Sequence, residues 1–150
     1  FPDQKLDNIP QLEIVKKLEN SIEKLKPEIV YIHHPYDINK DHQIASHATL
    51  VSLRPISYHG FKPEIRAFET PSSTEQAPYE LPFLFKPNFF VNIENVWKKK
   101  IEALKAYSKE IKKPPHPRSI KSIEALAIKR GSESGFKMAE AFHILRKLWI

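Results

Sequence analysis

The sequence predicts an α/β fold on a parallel sheet. Residues Glu28 to His33 include a short, nearly continuous apolar run (Ile29, Val30, Tyr31, Ile32), the pattern of a strand covered on both faces. A helix-like pattern precedes it and another follows. Helix, strand, loop and helix in succession is the grammar of α/β proteins, with right-handed crossovers. Between the strand and the second helix stands a polar knot, His33-His34-Pro35-Tyr36-Asp37-Ile38-Asn39-Lys40-Asp41-His42. In open α/β sheets, ligands bind beyond the carboxyl ends of the strands, so a polar cluster at that place is a candidate site.

Each element has its own local warrant. A first helix is predicted from Asn8 to Lys26, with Asn8 as cap, Pro10 in the tolerant first turn and Gln11 in a capping-box position. Val15, Leu18, Ile22 and Leu25 form its apolar stripe, and Pro27 ends it. A second helix is predicted from Asp41 to Leu53, with Ile44, Ala45, Ala48 and Val51 inward. Pro55 stops it, because the residue before Pro is pushed out of helical dihedrals. His42 then lies in the first turn, and His47, five positions on, points elsewhere. Ile65 to Glu69 is a second strand, and Pro71 to Phe85 a long connection of the kind that often forms lids or binding loops. Lys86 to Val91 is a short strand or a packing anchor. Asn92 to Lys112 is a helix with Trp97, Ile101, Leu104 and Ile111 as its stripe, stopped by Pro114-Pro115. Ser119 caps a helix from Ile120 to Arg130, Gly131 is its C′ residue, and Phe136 to Leu145 is a last strand bearing Glu140.

Composition bounds the function. A chain of 150 residues, 41% hydrophobic and 28% charged, is an ordinary globular domain able to bury a sizeable core. The net charge of +6 permits an anionic partner. Much of the excess, however, sits in helix-like stretches such as Lys98-Lys99-Lys100 and Lys112-Lys113, which read as solvated faces. No strand interleaves aromatic and basic residues, so a nucleic-acid partner is not expected. No apolar run approaches the ~20 residues that span a bilayer, so no membrane span is expected. The absence of Cys leaves His and carboxylate as the donors for any transition metal.

The knot itself admits several readings. Histidine and carboxylate together suit a borderline metal such as Zn²⁺. Asp37, Asn39 and Asp41 also suit turn and cap chemistry, with Asp41 as an N-cap. A calcium loop begins with the same D-x-N-x-D spacing but needs Gly at its sixth position and Glu at its twelfth; here those are His42 and Ala48, which excludes it. His33 and His34 are adjacent, so strand alternation sends them to opposite faces.

The run Asp37-x-Asn39-x-Asp41-His42, ahead of a helix ending Leu53-Arg54-Pro55, resembles the second metal motif of the PIG-L/LmbE-like zinc N-deacetylases. Further stretches resemble the bacterial branch of that family, in the right order along nearly the whole chain. They are Pro2-Asp3-Gln4-Lys5-Leu6-Asp7, Pro71-Ser72-Ser73-Thr74-Glu75, Lys86-Pro87-Asn88, Pro114-Pro115-His116-Pro117-Arg118-Ser119, Arg130-Gly131 and Met138-Ala139-Glu140-Ala141-Phe142. The resemblance implies a Rossmann-like three-layer sandwich with a mostly parallel sheet. It implies a hydrolase that removes an N-acetyl group from an amino-sugar conjugate, with Zn²⁺ or Fe²⁺ as cofactor. His42 would be one of three metal ligands and Asp41 a site-orienting carboxylate. Asn39 falls where some relatives carry a His assigned to oxyanion or leaving-group chemistry. Asp37 is expected to contact substrate or its own loop, and His116 and Arg118 to contact polar substrate from a loop over the site or to be surface turn residues.

One departure is large. The family's His-Pro-Asp-Asp-Glu run, which supplies the other two ligands and the general base, has no counterpart here; His34-Pro35 is followed by Tyr36-Asp37. The expectation is therefore an N-terminally truncated chain, residues 1–150 being the C-terminal part of a single deacetylase domain, inactive alone. Its parent is expected to be cytoplasmic, with oligomerisation open. The alternative is a non-catalytic α/β module that binds a sugar or an anion with the same loop.

Overall fold

The computed structural model describes residues 1–56, 62–80 and 84–149, so part of the connection read from Pro71 to Phe85 lies outside the described residues. The fold is mixed α/β, with a four-stranded sheet of order β1-β2-β4-β3 and flanking helices. The chain divides into two compact units, Phe1–Lys86 with His143–Ile150, and Pro87–Phe142.

The first unit holds α1 (Gln11–Leu25), β1 (Ile29–His33), α2 (Lys40–Ser52) and β2 (Glu64–Phe68). β1 and β2 pair in parallel, Ile29 opposite Glu64 and His33 opposite Phe68. Alternation sends Val30 and Ile32 to one face of β1, where Ile32, Ile65 and Ala67 pack with Ile22 and Leu53. Ile14, Val15 and Ala48 form a second buried cluster between α1 and α2. The other face is more open: Ile29 is 38% and Tyr31 49% exposed. β1 borders the sheet, with β2 as its only paired strand among the described residues.

Helix α1 starts at Gln11, later than Asn8, because Leu6–Asn8 close a separate 3₁₀ turn and Pro10 takes the cap position. Its stripe ends at Ile22; Leu25 is outside the core, and Lys26, with a φ of 45°, closes the helix in the left-handed region. Asn39, not Asp41, caps α2, its side-chain oxygen accepting from the amides of Asp41 and His42.

The second unit contains β3 (Phe89–Asn92), α3 (Trp97–Ala106), α4 (Ile120–Ser134) and the first part of β4 (Ala139–Arg146), which runs on into the first unit. β3 and β4 are antiparallel, Phe89 opposite Phe142 and Asn92 opposite Ala139, so the expectation of a mostly parallel sheet is met by the β1–β2 pair and not by the β3–β4 pair. One crossover helix returns a chain to run parallel. Two successive helices, here α3 and α4, bring it back from the opposite end. α3 is shorter than the predicted 92–112: Asn92 belongs to β3, a 3₁₀ turn occupies Glu94–Val96, and turns follow Ala106. α4 continues past Arg130. Gly131 lies inside it, and Gly135, with a φ of 77°, is the left-handed closing residue.

Candidate functional site

The site begins where β1 ends. His34 N–H donates to Phe68 O at 3.0 Å, extending the parallel ladder one residue past His33. A turn follows, closed by Asp37 N–H to His34 O at 3.0 Å, and Asp37 Oδ1 then accepts from Asn39 N–H at 2.9 Å. Asn39 caps α2 at 2.9 Å to Asp41 N and 3.3 Å to His42 N. Ser46 Oγ donates to His33 O at 2.7 Å, tying α2 to the strand end. His34, Asp37, Asn39, Asp41 and His42 are thus each placed by a hydrogen bond, and His42 sits in the first turn of α2.

Asp37 is fully buried, and its carboxylate is surrounded by donors. Ser73 Oγ donates to Oδ1 at 2.5 Å and Thr74 Oγ1 to Oδ2 at 2.9 Å. His42 Nδ1 lies 3.2 Å from Oδ2, within ion-pair range but too oblique for a well-formed hydrogen bond. Burial pushes the Asp37 carboxyl up. The bonds from Ser73, the Asn39 amide and Thr74, with the His42 ring close by, outweigh it and hold the group below the usual range, as an anion at neutral pH. The His42 ring stacks face to face on His33, centroids 3.7 Å apart and planes within 2°. His33 Nδ1 is 3.2 Å from Thr70 Oγ1. Burial, and then the neighbouring His42, lower the His33 pKa to about 4, against an upward pull from Asp37, so His33 is neutral near pH 7.

Asp37 is thus enclosed by Ser73, Thr74 and His42, with no exposed surface of its own. Asp41 turns to another partner: its Oδ1 accepts from Leu6 N–H at 3.1 Å and fastens the segment before α1 to the first turn of α2. Asn39 directs its amide oxygen to the cap. In the second unit, His116 Nδ1 accepts from Arg118 N–H at 3.0 Å, and the Arg118 guanidinium pairs with Glu110, so both residues serve a local turn before α4. Ser119, as expected, caps that helix.

Ser73, Thr74 and Thr70 are site residues that the residue-by-residue reading passed over. Their sequence signal was present, a hydroxyl-rich run just beyond the end of β2, but Ser73 and Thr74 lie 36 and 37 positions from the carboxylate they hold. Of the residues named, His42 could hold a metal: a carboxylate 3.2 Å from Nδ1 favours the proton there and leaves Nε2 as a donor to a cation, the usual arrangement of a metal-binding imidazole. Among the described residues, no group of three or more His, Asp or Glu is placed to hold a metal ion. An open cleft of about 820 Å³ lies beside α2, lined by Tyr36, Asp37 and Ile38 of the site loop and by Leu6, Ile44 and His47 among others.

The family model for PIG-L, the GlcNAc-PI de-N-acetylase, matches residues 1–53. No sequence among the curated proteins matches the chain. Among solved structures, a conserved protein from Thermus thermophilus superposes with a TM-score of 0.74 at 22% identity, over 100% of this chain and 66% of that one. The N,N'-diacetylchitobiose deacetylase from Pyrococcus horikoshii gives 0.71 at 18% identity, over 97% of this chain and 55% of that one. The 4-carboxy-2-hydroxymuconate hydratase GalB from Pseudomonas putida gives 0.65 at 21%, over 93% and 60%. The chain thus spans less than two thirds of the length of these structures and shares their fold. The strand-end motif lies inside the segment that the PIG-L family model matches, and the chain around it has the fold of these structures.

Proposed function

We propose that this chain is part of a metal-dependent hydrolase that removes the N-acetyl group from an amino-sugar conjugate, with His42 as one ligand of a divalent cation such as Zn²⁺ or Fe²⁺. The observation that carries the reading is the buried anionic Asp37 set 3.2 Å from His42 Nδ1 at the carboxyl end of a parallel strand. That geometry suits an imidazole offering Nε2 to a cation, and it falls within the segment matched by a de-N-acetylase family. The substrate class is supported by the family, whose substrate is GlcNAc-PI, and by one deacetylase of the same fold that acts on N,N'-diacetylchitobiose.

A bound divalent cation would act as a Lewis acid toward the amide carbonyl and acidify water. This chain's residues have the supporting tasks. Asp37 holds the His42 proton at Nδ1, and His33, neutral and stacked, covers the ring face without adding charge. Asn39 builds the helix turn that carries His42, and Asp41 anchors Leu6 to it. Asn39 has no acidic proton to give a leaving amine, so that step falls to another residue. The general base and the remaining ligands are assigned to a His-Pro-Asp-Asp-Glu segment of the kind the family resemblance implies. This sequence contains no such run, so the chain by itself is expected to be inactive.

The test is made on the intact protein. Elemental analysis should find stoichiometric metal, and acetate should be released from N-acetylglucosaminides. His42→Ala should abolish both while leaving the fold in place by circular dichroism. Retention of metal and activity by that variant removes His42 from the coordination sphere. A metal-free intact protein that binds sugar without releasing acetate supports the binding-module reading instead.

A further inference from the structure

We propose that Ser73 and Thr74 are positioning residues, which set the ring orientation and tautomer of His42 through Asp37. The proposal rests on the reading of His42 as a metal ligand. Thr74 Oγ1 accepts from Thr70 N–H at 2.7 Å, which leaves its single proton for Asp37 Oδ2, 2.9 Å away. That oxygen is the one facing His42 Nδ1. Ser73 Oγ fixes the other oxygen at 2.5 Å, so the carboxylate cannot rotate without breaking a bond at each end. Both hydroxyl residues are buried, and water is a poor substitute for them there.

The turn that presents them is itself fastened. The Glu75 carboxylate accepts from Ser72 N–H at 2.6 Å and Ser73 N–H at 3.2 Å. Thr70, at the start of the same turn, meets His33 Nδ1 at 3.2 Å, and His33 lies flat on the His42 ring. One short stretch after β2 therefore grips the imidazole by its Nδ1 edge, through Asp37, and by its face, through His33. An Asp37 that needed only solvation would be served by any donors. Ser73 and the Asn39 N–H hold Oδ1 while Thr74 alone holds Oδ2, so the remaining Oδ2 lone pair faces Nδ1 and directs the imidazole proton there, leaving Nε2 as the ring's acceptor.

The experiment compares the intact wild type with Ser73→Ala, Thr74→Val, the double variant, and Thr74→Ser, which keeps the hydroxyl. The first readout is the ¹⁵N spectrum of the His42 ring in metal-free protein at pH 8. Wild type and Thr74→Ser should carry the proton on Nδ1, and the double variant should shift toward the Nε2-protonated form. The second is Zn²⁺ affinity by chelator competition, which should fall roughly 10–100-fold in the double variant. Thr74→Ser should stay within about threefold of wild type, a fraction of that loss. If the double variant fails to fold, the folded single variants should show the same shift in smaller measure. An unchanged His42 tautomer in the hydroxyl-deleted proteins overturns the proposal, as does an equal affinity loss in Thr74→Ser. If the wild type takes up no zinc, the metal reading fails, and the ring spectra alone decide the positioning role.

Discussion

Asp37 shows how the meaning of one residue depends on partners far along the chain. Within its own loop it reads as a turn former or a substrate contact, since Asp, Asn and Pro surround it. Once β2 is laid beside β1, the hydroxyls of Ser73 and Thr74 close over it and it becomes the support of His42. Gly131 is a second case. After Arg130 it looks like a helix terminator, yet it is a point of close approach, where a Cβ would come within 2.6 Å of Phe136 O and 2.7 Å of Lys137 C. Those neighbours are backbone atoms and cannot swing away. Overpacking should cost about 1–3 kcal/mol. Ala favours a helix by ~1 kcal/mol, so Gly131→Ala should lower stability by about 0–2 kcal/mol net. Urea denaturation measures it, and a raised midpoint would show that the backbone gives way.

Elements were legible where a local rule decides them. The apolar run of β1, the Pro that follows α1 and the Ser119 cap all follow from short-range sterics and hydrogen bonding. Choosing between Asn39 and Asp41 as the cap of α2 was not a local matter, because both residue types cap well. The Leu6 amide, 35 residues from Asp41, takes up the carboxylate and leaves the cap to Asn39. Asn39→Ala should cost about 0.5–2 kcal/mol in thermal or urea unfolding, while Asn39→Asp should stay near wild type. An Asn39→Ala protein as stable as wild type would show that α2 is held by packing alone. The antiparallel course of β3 and β4 was hidden for another reason. Apolar patterning reports which face of a strand is covered, not the direction of its neighbour.

At the scale of the molecule, stability should carry a signature of pH. The Glu64 carboxylate at the start of β2 bonds to Lys147 Nζ at 2.9 Å and Arg66 Nε at 2.5 Å. These bonds, the one to Lys147 foremost, hold its pKa below the ordinary value against a weaker push from burial. A depressed acid stabilises the fold above its unfolded pKa. That contribution fades as pH falls from the ordinary Glu range, near 4.5, through the lower folded value. Glu64→Gln should therefore flatten the acid side of a melting-temperature profile; an unchanged acid limb would show that the pairing contributes nothing. The bordering position of β1 has a wider reach. A strand with β2 as its one paired neighbour among the described residues, and with Ile29 and Tyr31 half-exposed on one face, offers a template on which another chain can lay a strand of its own. Expressed as these 150 residues, the polypeptide should associate as its concentration rises. Tyr31→Lys, which puts a repelling charge on that border, should keep it dispersed in light-scattering measurements.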